Sequence, residues 1–154
     1  MTHGAYTKAQ PHFFRIKMQK EFIWPIRIYY EDTDAGGIVY HSNYLKFFER
    51  TRTEYLRALG WNQRELKING VCAFVVSSLS IRYKRPARLD DEITVTAQIK
   101  RVRRASFTIE QKAIRGDTLL AQGEVDVACI DPQTGMPIPI PQSMYEQVYN
   151  SVAE

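Results

Sequence analysis

The stretch from Tyr44 to Leu59 constrains the fold more than any other part of the chain. It contains no glycine or proline, Ser42 and Asn43 precede it as good helix caps, and Gly60 follows as a stop. Leu45, Phe48, Arg52, Tyr55, Leu56 and Leu59 recur at three- and four-residue steps, and Tyr44 and Phe47 widen the apolar stripe. At 1.5 Å per residue the segment predicts a rod roughly 25 Å long. So wide an apolar face is unusual for a helix at a protein surface, and the rod is expected to be wrapped by a sheet.

The flanking segments supply the strands. Phe22 to Tyr30 reads as one, with Pro25 marking an edge or irregularity because proline donates no ladder hydrogen bond. Everything from Val71 to Asp131 reads as strands. Within Phe74 to Tyr83, the residues Val75, Leu79, Ile81 and Tyr83 are expected on one face. Ile93, Val95, Ala97 and Ile99 alternate with Thr94, Thr96, Gln98 and Lys100, the period-two pattern of a half-buried antiparallel strand. A third strand runs from about Ser106 to Ile114. After a turn at Arg115-Gly116-Asp117, Leu119 to Cys129 returns with Ala121, Val125 and Val127 inward. Asp131 to Gly135 forms a strong turn, and Ser143 to Val152 is expected to close the chain as a short helix. The resulting class is α+β: an antiparallel sheet of about five strands curled around one long central helix. Such a sheet has edges, and aromatic-rich edges pair, so at least a dimer is expected.

A chain of 154 residues fits one domain and buries on the order of two-thirds of its unfolded surface. With 44% hydrophobic and 25% charged residues it has the composition of a soluble globular protein, and a net charge of +4 favours an anionic partner without choosing one. Cys72 and Cys129 form no CxxC pair, and with three histidines in all a structural zinc site is not expected. No apolar run approaches the ~20 residues of a membrane span, and the apolar pieces near the N-terminus are too broken for a signal peptide. The expectation is a cytoplasmic protein with buried thiols. Residues 1–21 read as an N-terminal extension, with disorder as one reading and Met18 as an alternative start. Residues 22–154 read as the folded domain.

Between the first strand and the helix lies Tyr29-Tyr30-Glu31-Asp32-Thr33-Asp34-Ala35-Gly36-Gly37-Ile38-Val39-Tyr40-His41, with three carboxylates, two adjacent glycines and a histidine. A simple connection needs one or two turn formers. Acidic groups near a helix start are stabilised by its positive end, and glycines let backbone N–H groups approach a ligand.

This run, followed by Asn43-Tyr44, Phe47-Phe48-Glu49 and Arg52-Thr53-Glu54, closely resembles the hotdog-fold acyl-CoA thioesterases, in particular the YbgC-type members associated with the bacterial Tol-Pal system. It is similar more distantly to 4-hydroxybenzoyl-CoA thioesterase. The likeness extends through Pro86 to Asp91 and Cys129 to Pro132, covering roughly Trp24 to Pro141. The resemblance implies that Asp34 is the catalytic carboxylate and that the backbone N–H of His41 polarises the thioester carbonyl. It implies an active site at a homodimer interface, in a homodimer or homotetramer. It also implies CoA phosphate contact at Arg101, Arg103 and Arg104, beside Lys100. No cofactor is expected beyond coenzyme A as part of the substrate, with acyl carrier protein an alternative carrier.

Chemically, a carboxylate serves thioester hydrolysis as a nucleophile or as a general base for water, and both routes stay open. Asp32 and Glu31 compete weakly with Asp34. Gly36 and Gly37 are read as turn residues that also admit substrate, and Tyr40 as a packing residue able to hydrogen-bond it. Glu49 and Arg52 read as an i, i+3 ion pair, with Glu49 a lesser candidate acid. Lys84, Arg85 and Arg88 form a second, weaker basic cluster. Two alternatives remain: a hotdog dehydratase on 3-hydroxyacyl thioesters, and a non-catalytic module binding acyl-CoA or acyl carrier protein. Nucleic acid is not an expected partner, because the stacked-aromatic motifs are missing.

Overall fold

Hydrophobic periodicity becomes a wrapped helix in the computed structural model, which describes residues 21–153. The expected extension therefore lies, but for Glu21, outside the described residues. Five strands, β1 (Phe22–Arg27), β2 (Ala73–Tyr83), β3 (Glu92–Val102), β4 (Ser106–Arg115) and β5 (Thr118–Ile130), form one antiparallel sheet in the order β1-β3-β4-β5-β2. The helices are α1 (Asn43–Ala58), α2 (Gln63–Ile68) and α3 (Gln142–Ala153).

The sheet curls over α1. Near the start of α1, Tyr44, Phe47 and Phe48 pack with Ile26, Ile28, Ile93, Val95, Ala113 and Leu120. Farther along, Tyr55 and Leu56 pack with Phe22, Ala97, Ile99, Phe107, Val125 and Val127, and Met144 and Val148 of α3 close that end. Phe47 and Phe48 are fully buried, each burial worth roughly 1.5–3 kcal/mol. The helix thus runs along β3 with its start at the Glu92 end and its finish toward Val102.

Several expectations shift. β1 stops at Arg27, and Tyr30–Asp32 form one 3-10 turn rather than more strand. The buried face of α1 is Asn43, Tyr44, Phe47, Phe48, Thr51, Arg52, Tyr55 and Leu56, so Leu45 points to solvent and Leu59 is half-buried. Adjacent pairs every four residues make one stripe, and Leu45 lies beyond its border. The short α2 is too brief for periodicity to mark, although Asn62 caps it by accepting from the Glu65 N–H at 3.1 Å.

Val75 also leaves its expected face. Directly opposed residues share a face, and Phe74, Val76, Leu79, Ile81 and Tyr83 oppose Cys129, Val127, Val125, Gly123 and Ala121. A register shift between Val76 and Ser78 inserts one residue, so alternation changes phase and Val75 turns outward.

Arg52 does not pair with Glu49. Its Nη1 donates to Oε1 of Gln111 on β4 at 2.9 Å, and Gln111 Nε2 donates to the Phe48 carbonyl at 3.1 Å and the Thr96 carbonyl at 3.3 Å. The ion pair formed on α1 is instead Glu54–Arg57, at 2.8 Å. Burial lowers the Arg52 pKa, while the nearby Glu49 charge works the other way. Leaving a buried donor without its acceptor costs about 1–3 kcal/mol, toward the upper end when the donor is charged. Gln111→Leu is therefore expected to destabilise the protein by about 3 kcal/mol, measured as a drop in the urea midpoint.

Candidate active site

The acidic loop folds as a small hairpin fixed at its base. Asp34 N–H donates to the Ile38 carbonyl at 2.9 Å and Tyr40 N–H to the Asp32 carbonyl at 2.9 Å, with Thr33 bridging Val39. The tip closes through Gly37 N–H to the Asp34 carbonyl at 2.9 Å. Gly37 has φ +81, a left-handed conformation that suits glycine. A Cβ on Gly36 would come within 3.2 Å of Asp34 Oδ1, which instead accepts the Gly36 N–H at 2.8 Å. The two glycines thus let the Asp34 carboxylate fold back over the turn while staying exposed.

The hairpin leads into α1, whose first turn lacks the expected cap. Ser42 occupies the N-cap position with helical backbone angles and makes no side-chain cap hydrogen bond. Asn43 Nδ2 turns back to the Asp32 carbonyl at 2.8 Å instead of capping. Helix-start N–H groups carry partial positive charge and are ready donors to an anion. Among the described residues, the His41 N–H has no acceptor. The pairing of Thr33 with Val39 sets His41 about three residues along from Asp34, roughly 10 Å between Cα atoms.

The His41 ring packs against Tyr40, centroids 4.5 Å apart, and is edge-on to Tyr83 at 6.1 Å. Tyr83, which sequence reasoning placed only as a strand residue, donates its hydroxyl to the His41 carbonyl at 2.9 Å. Tyr40 is exposed.

A second tie holds the loop to the segment before β3. Val39 N–H donates to the Ala87 carbonyl at 2.9 Å, and Ile38 bridges Arg88. That segment is clasped by Asp91, whose Oδ2 accepts from Arg88 N–H at 2.8 Å and from Arg115 Nη1 at 2.8 Å. Partial burial pushes the Asp91 pKa up, but these hydrogen bonds and the arginine charges outweigh it and hold the carboxyl below its ordinary range.

The main arginine cluster is not beside this loop in the same chain. β3 spans 11 residues, so its two ends lie roughly 30 Å apart. The loop sits at the Glu92 end, whereas Arg103 and Arg104 form the turn after Val102 at the other. Lys100, Arg101 and Arg103 line a cleft of about 400 Å³ with Tyr149 and Val152 of α3. Lys100 faces Glu110 at 3.6 Å, Arg101 pairs with Glu124 at 3.2 Å, and Arg103 donates to Thr108 Oγ1 at 3.2 Å. Arg104 lines a separate cleft with Tyr145. Nearer the acidic loop, Arg88 meets it through the backbone bridge to Ile38, and Arg27 and Arg50 share a cleft with Glu31 and Asp32.

A further groove of about 580 Å³ opens between α1 and β2. Leu56, Phe74, Val76, Ile109 and Val127 form its apolar walls, and Glu49 and Arg52 also line it. No cluster of three or more potential metal-ligating side chains occurs among the described residues.

Comparison with known proteins gives a consistent relationship. Residues 29–148 match the thioesterase-like superfamily. The chain is 45% identical over 123 residues to the acyl-CoA thioesterase YbgC of Haemophilus influenzae, covering 80% of this chain and 90% of that protein. It is 44% identical over 124 residues to the acyl-CoA thioester hydrolase YbgC of Escherichia coli, covering 80% and 92%. A crystal structure of a probable thioesterase from Bartonella henselae superposes with a TM-score of 0.74 at 38% identity, covering 79% of this chain and 99% of that one.

The Asp91 clasp has a pH signature. A carboxyl whose folded pKa is depressed adds stability above its unfolded value near 3.9, and this is lost as pH falls through the folded value. Asp91→Asn should therefore be less stable than the parent at pH 7, with the gap closing as pH falls below the ordinary carboxylate range. A series of urea titrations from neutral to acid pH measures it.

Proposed function

The chain belongs to the thioesterase-like superfamily as a YbgC-type hotdog thioesterase, and on that premise we propose that it hydrolyses acyl-CoA with Asp34 as its catalytic carboxylate. The observation that carries this reading is an exposed Asp34 on a rigid glycine turn ahead of a helix start that no side chain caps. Thioester hydrolysis needs both parts: a base or nucleophile, and donors for the oxyanion that develops on the carbonyl.

In the general-base route Asp34 takes a proton from water as the water oxygen attacks the carbonyl carbon. The tetrahedral oxyanion is held by the His41 N–H at the helix start. Collapse breaks the C–S bond, and the proton passes to the departing CoA thiolate. In the nucleophilic route Asp34 attacks first and releases CoA, and water then hydrolyses the mixed anhydride. Single turnover in labelled water separates the two, since only the second leaves label in the Asp34 carboxylate. Asp34→Asn should lower kcat by about 10²–10⁴-fold with its fold unchanged in circular dichroism. Undiminished turnover would refute the assignment.

The curated relatives are named for acyl-CoA, which favours CoA over acyl carrier protein as the thiol carrier. No metal or further cofactor enters the reading. Because Asp34 and the Arg101, Arg103, Arg104 cluster lie at opposite ends of one sheet, a single CoA reaches both only across a two-fold axis. Pairing β2 with β2 of a second copy in antiparallel fashion brings one chain's loop toward the other's far end. The exposed Val75, Val76, Leu79 and Tyr83 on that strand support a homodimer, which a homotetramer would repeat. The groove between α1 and β2 then becomes an enclosed acyl pocket, with Gly36, Gly37 and Tyr40 at its mouth.

No helix among the described residues is long and apolar enough to cross a membrane, and we assign the protein to the cytoplasm, with the Tol-Pal link resting on the YbgC likeness. Leu79→Lys is expected to shift the assembly toward monomer in sedimentation velocity and to lower activity by at least tenfold.

A further inference from the structure

We propose that Tyr83 is a positioning residue for this reaction, anchoring the His41 carbonyl so that the backbone on either side of the His41 Cα is held and its N–H is aimed at the thioester oxygen. The inference rests on the thioesterase reading above and adds a residue that lies 42 positions beyond the loop it controls.

The His41 carbonyl is only loosely held by its own helix. The hydrogen bond from Tyr44 N–H is long, at 3.4 Å, and no side chain caps the turn. The short bond, 2.9 Å, comes from the Tyr83 hydroxyl at the end of β2. Tyr83 is itself braced: its ring meets Tyr44 edge-on, centroids 5.5 Å apart, and meets the His41 ring at 6.1 Å and 84°. Tyr44 is buried, and its hydroxyl accepts the Ala87 N–H at 3.3 Å. Ala87 is the residue whose carbonyl ties Val39 of the acidic loop. One aromatic pair therefore links the strand end, the loop and the first turn of α1.

An oxyanion donor contributes only when its geometry is set before the charge appears, within about 0.5 Å and 10–20°. The His41 carbonyl belongs to the peptide that continues to Ser42, and the His41 N–H to the preceding one, which Asn43 N–H holds through the Tyr40 carbonyl at 2.9 Å. The two planes meet at the His41 Cα, so freeing the carbonyl would let the second swing and would loosen the aim of the N–H in the first. A direct proton-transfer role for Tyr83 fits less well, because its single hydroxyl proton is already committed to the His41 carbonyl. Partial burial raises the phenol pKa above its ordinary value, which keeps it a donor at neutral pH.

Two variants and a reference test the idea. Tyr83→Phe keeps the ring and removes only the hydroxyl, whereas Tyr83→Leu removes both. The proposal expects Tyr83→Phe to lower kcat about 10–100-fold, with KM for acyl-CoA within threefold and the dimer and melting temperature close to the parent. Tyr83→Leu should lose as much kcat or more. Parental kcat in Tyr83→Phe, with loss only in Tyr83→Leu, would assign the effect to ring packing and overturn the proposal. So would a fall in kcat that accompanies a lower melting temperature or a dissociated dimer in Tyr83→Phe. Asp34→Asn in the same assay keeps the two readings apart. If Asp34→Asn retains full turnover, the catalytic assignment falls; if it is inactive while Tyr83→Phe is normal, only the Tyr83 role falls.

Discussion

Burial of the α1 aromatic face against the concave sheet is the constraint on which the rest depends. Phe47 and Phe48 have essentially no exposed surface, and Tyr44 and Tyr55 at the two ends of the stripe are nearly as buried. A helix seated this way can neither rotate nor slide without opening cavities, each costing several kcal/mol. Its first turn therefore emerges at one point beside the Glu92 end of β3. A helix start is useful as a charge-stabilising element only when its direction is fixed. Here the aromatic core supplies that direction and leaves the donors free.

The polar groups near the helix are divided between structure and site. Arg52 and Gln111 satisfy one another beneath the helix, where an unpaired charge would be expensive. At the start of α1 the opposite holds. Ser42 stands where a capping side chain would add about 1 kcal/mol, yet it makes no such bond, and Asn43 is spent on anchoring Asp32. The local stability forgone there is recovered through the Tyr83 and Ala87 ties, which hold the backbone while leaving the His41 N–H open.

Features carried by local pattern were legible in the sequence. The central helix, the strand from Ile93 to Ile99, the hairpin at Gly116 and the turn at Asp131 follow from periodicity and turn chemistry. Asp131 Oδ1 accepts from Gln133 and Thr134 N–H as such a turn requires. What failed was what local pattern does not encode. The bulge near Ser77 changes phase without any glycine or proline to announce it, so periodicity alone puts Val75 on the wrong face. Glu49 and Arg52 have ion-pair spacing, but Gln111, 59 positions away from Arg52, captures the guanidinium. The Asp34–Gly36–Gly37 turn was visible as a motif. The tie from Tyr83 to the start of α1 was not, since a tyrosine at a strand end is ordinary until the fold sets its hydroxyl against the His41 carbonyl.

The two outer strands differ in how open they leave the sheet to further pairing. β1 is 6 residues long and carries Pro25, which removes a ladder donor and blunts that side against further pairing. β2 runs for 11 residues without proline or lysine, and its exposed side chains include Val75, Val76, Leu79 and Tyr83. An edge this long, apolar and undefended is a liability in an isolated chain, since it templates indiscriminate strand addition. It ceases to be one when an identical edge occupies it. Val75 and Val76 point to opposite faces by ordinary strand alternation, so both sides of the edge carry apolar surface to bury. Because Tyr83 ends that same strand, any copy that pairs with β2 also reaches the residue that holds the helix start, and assembly and site geometry become one structural problem.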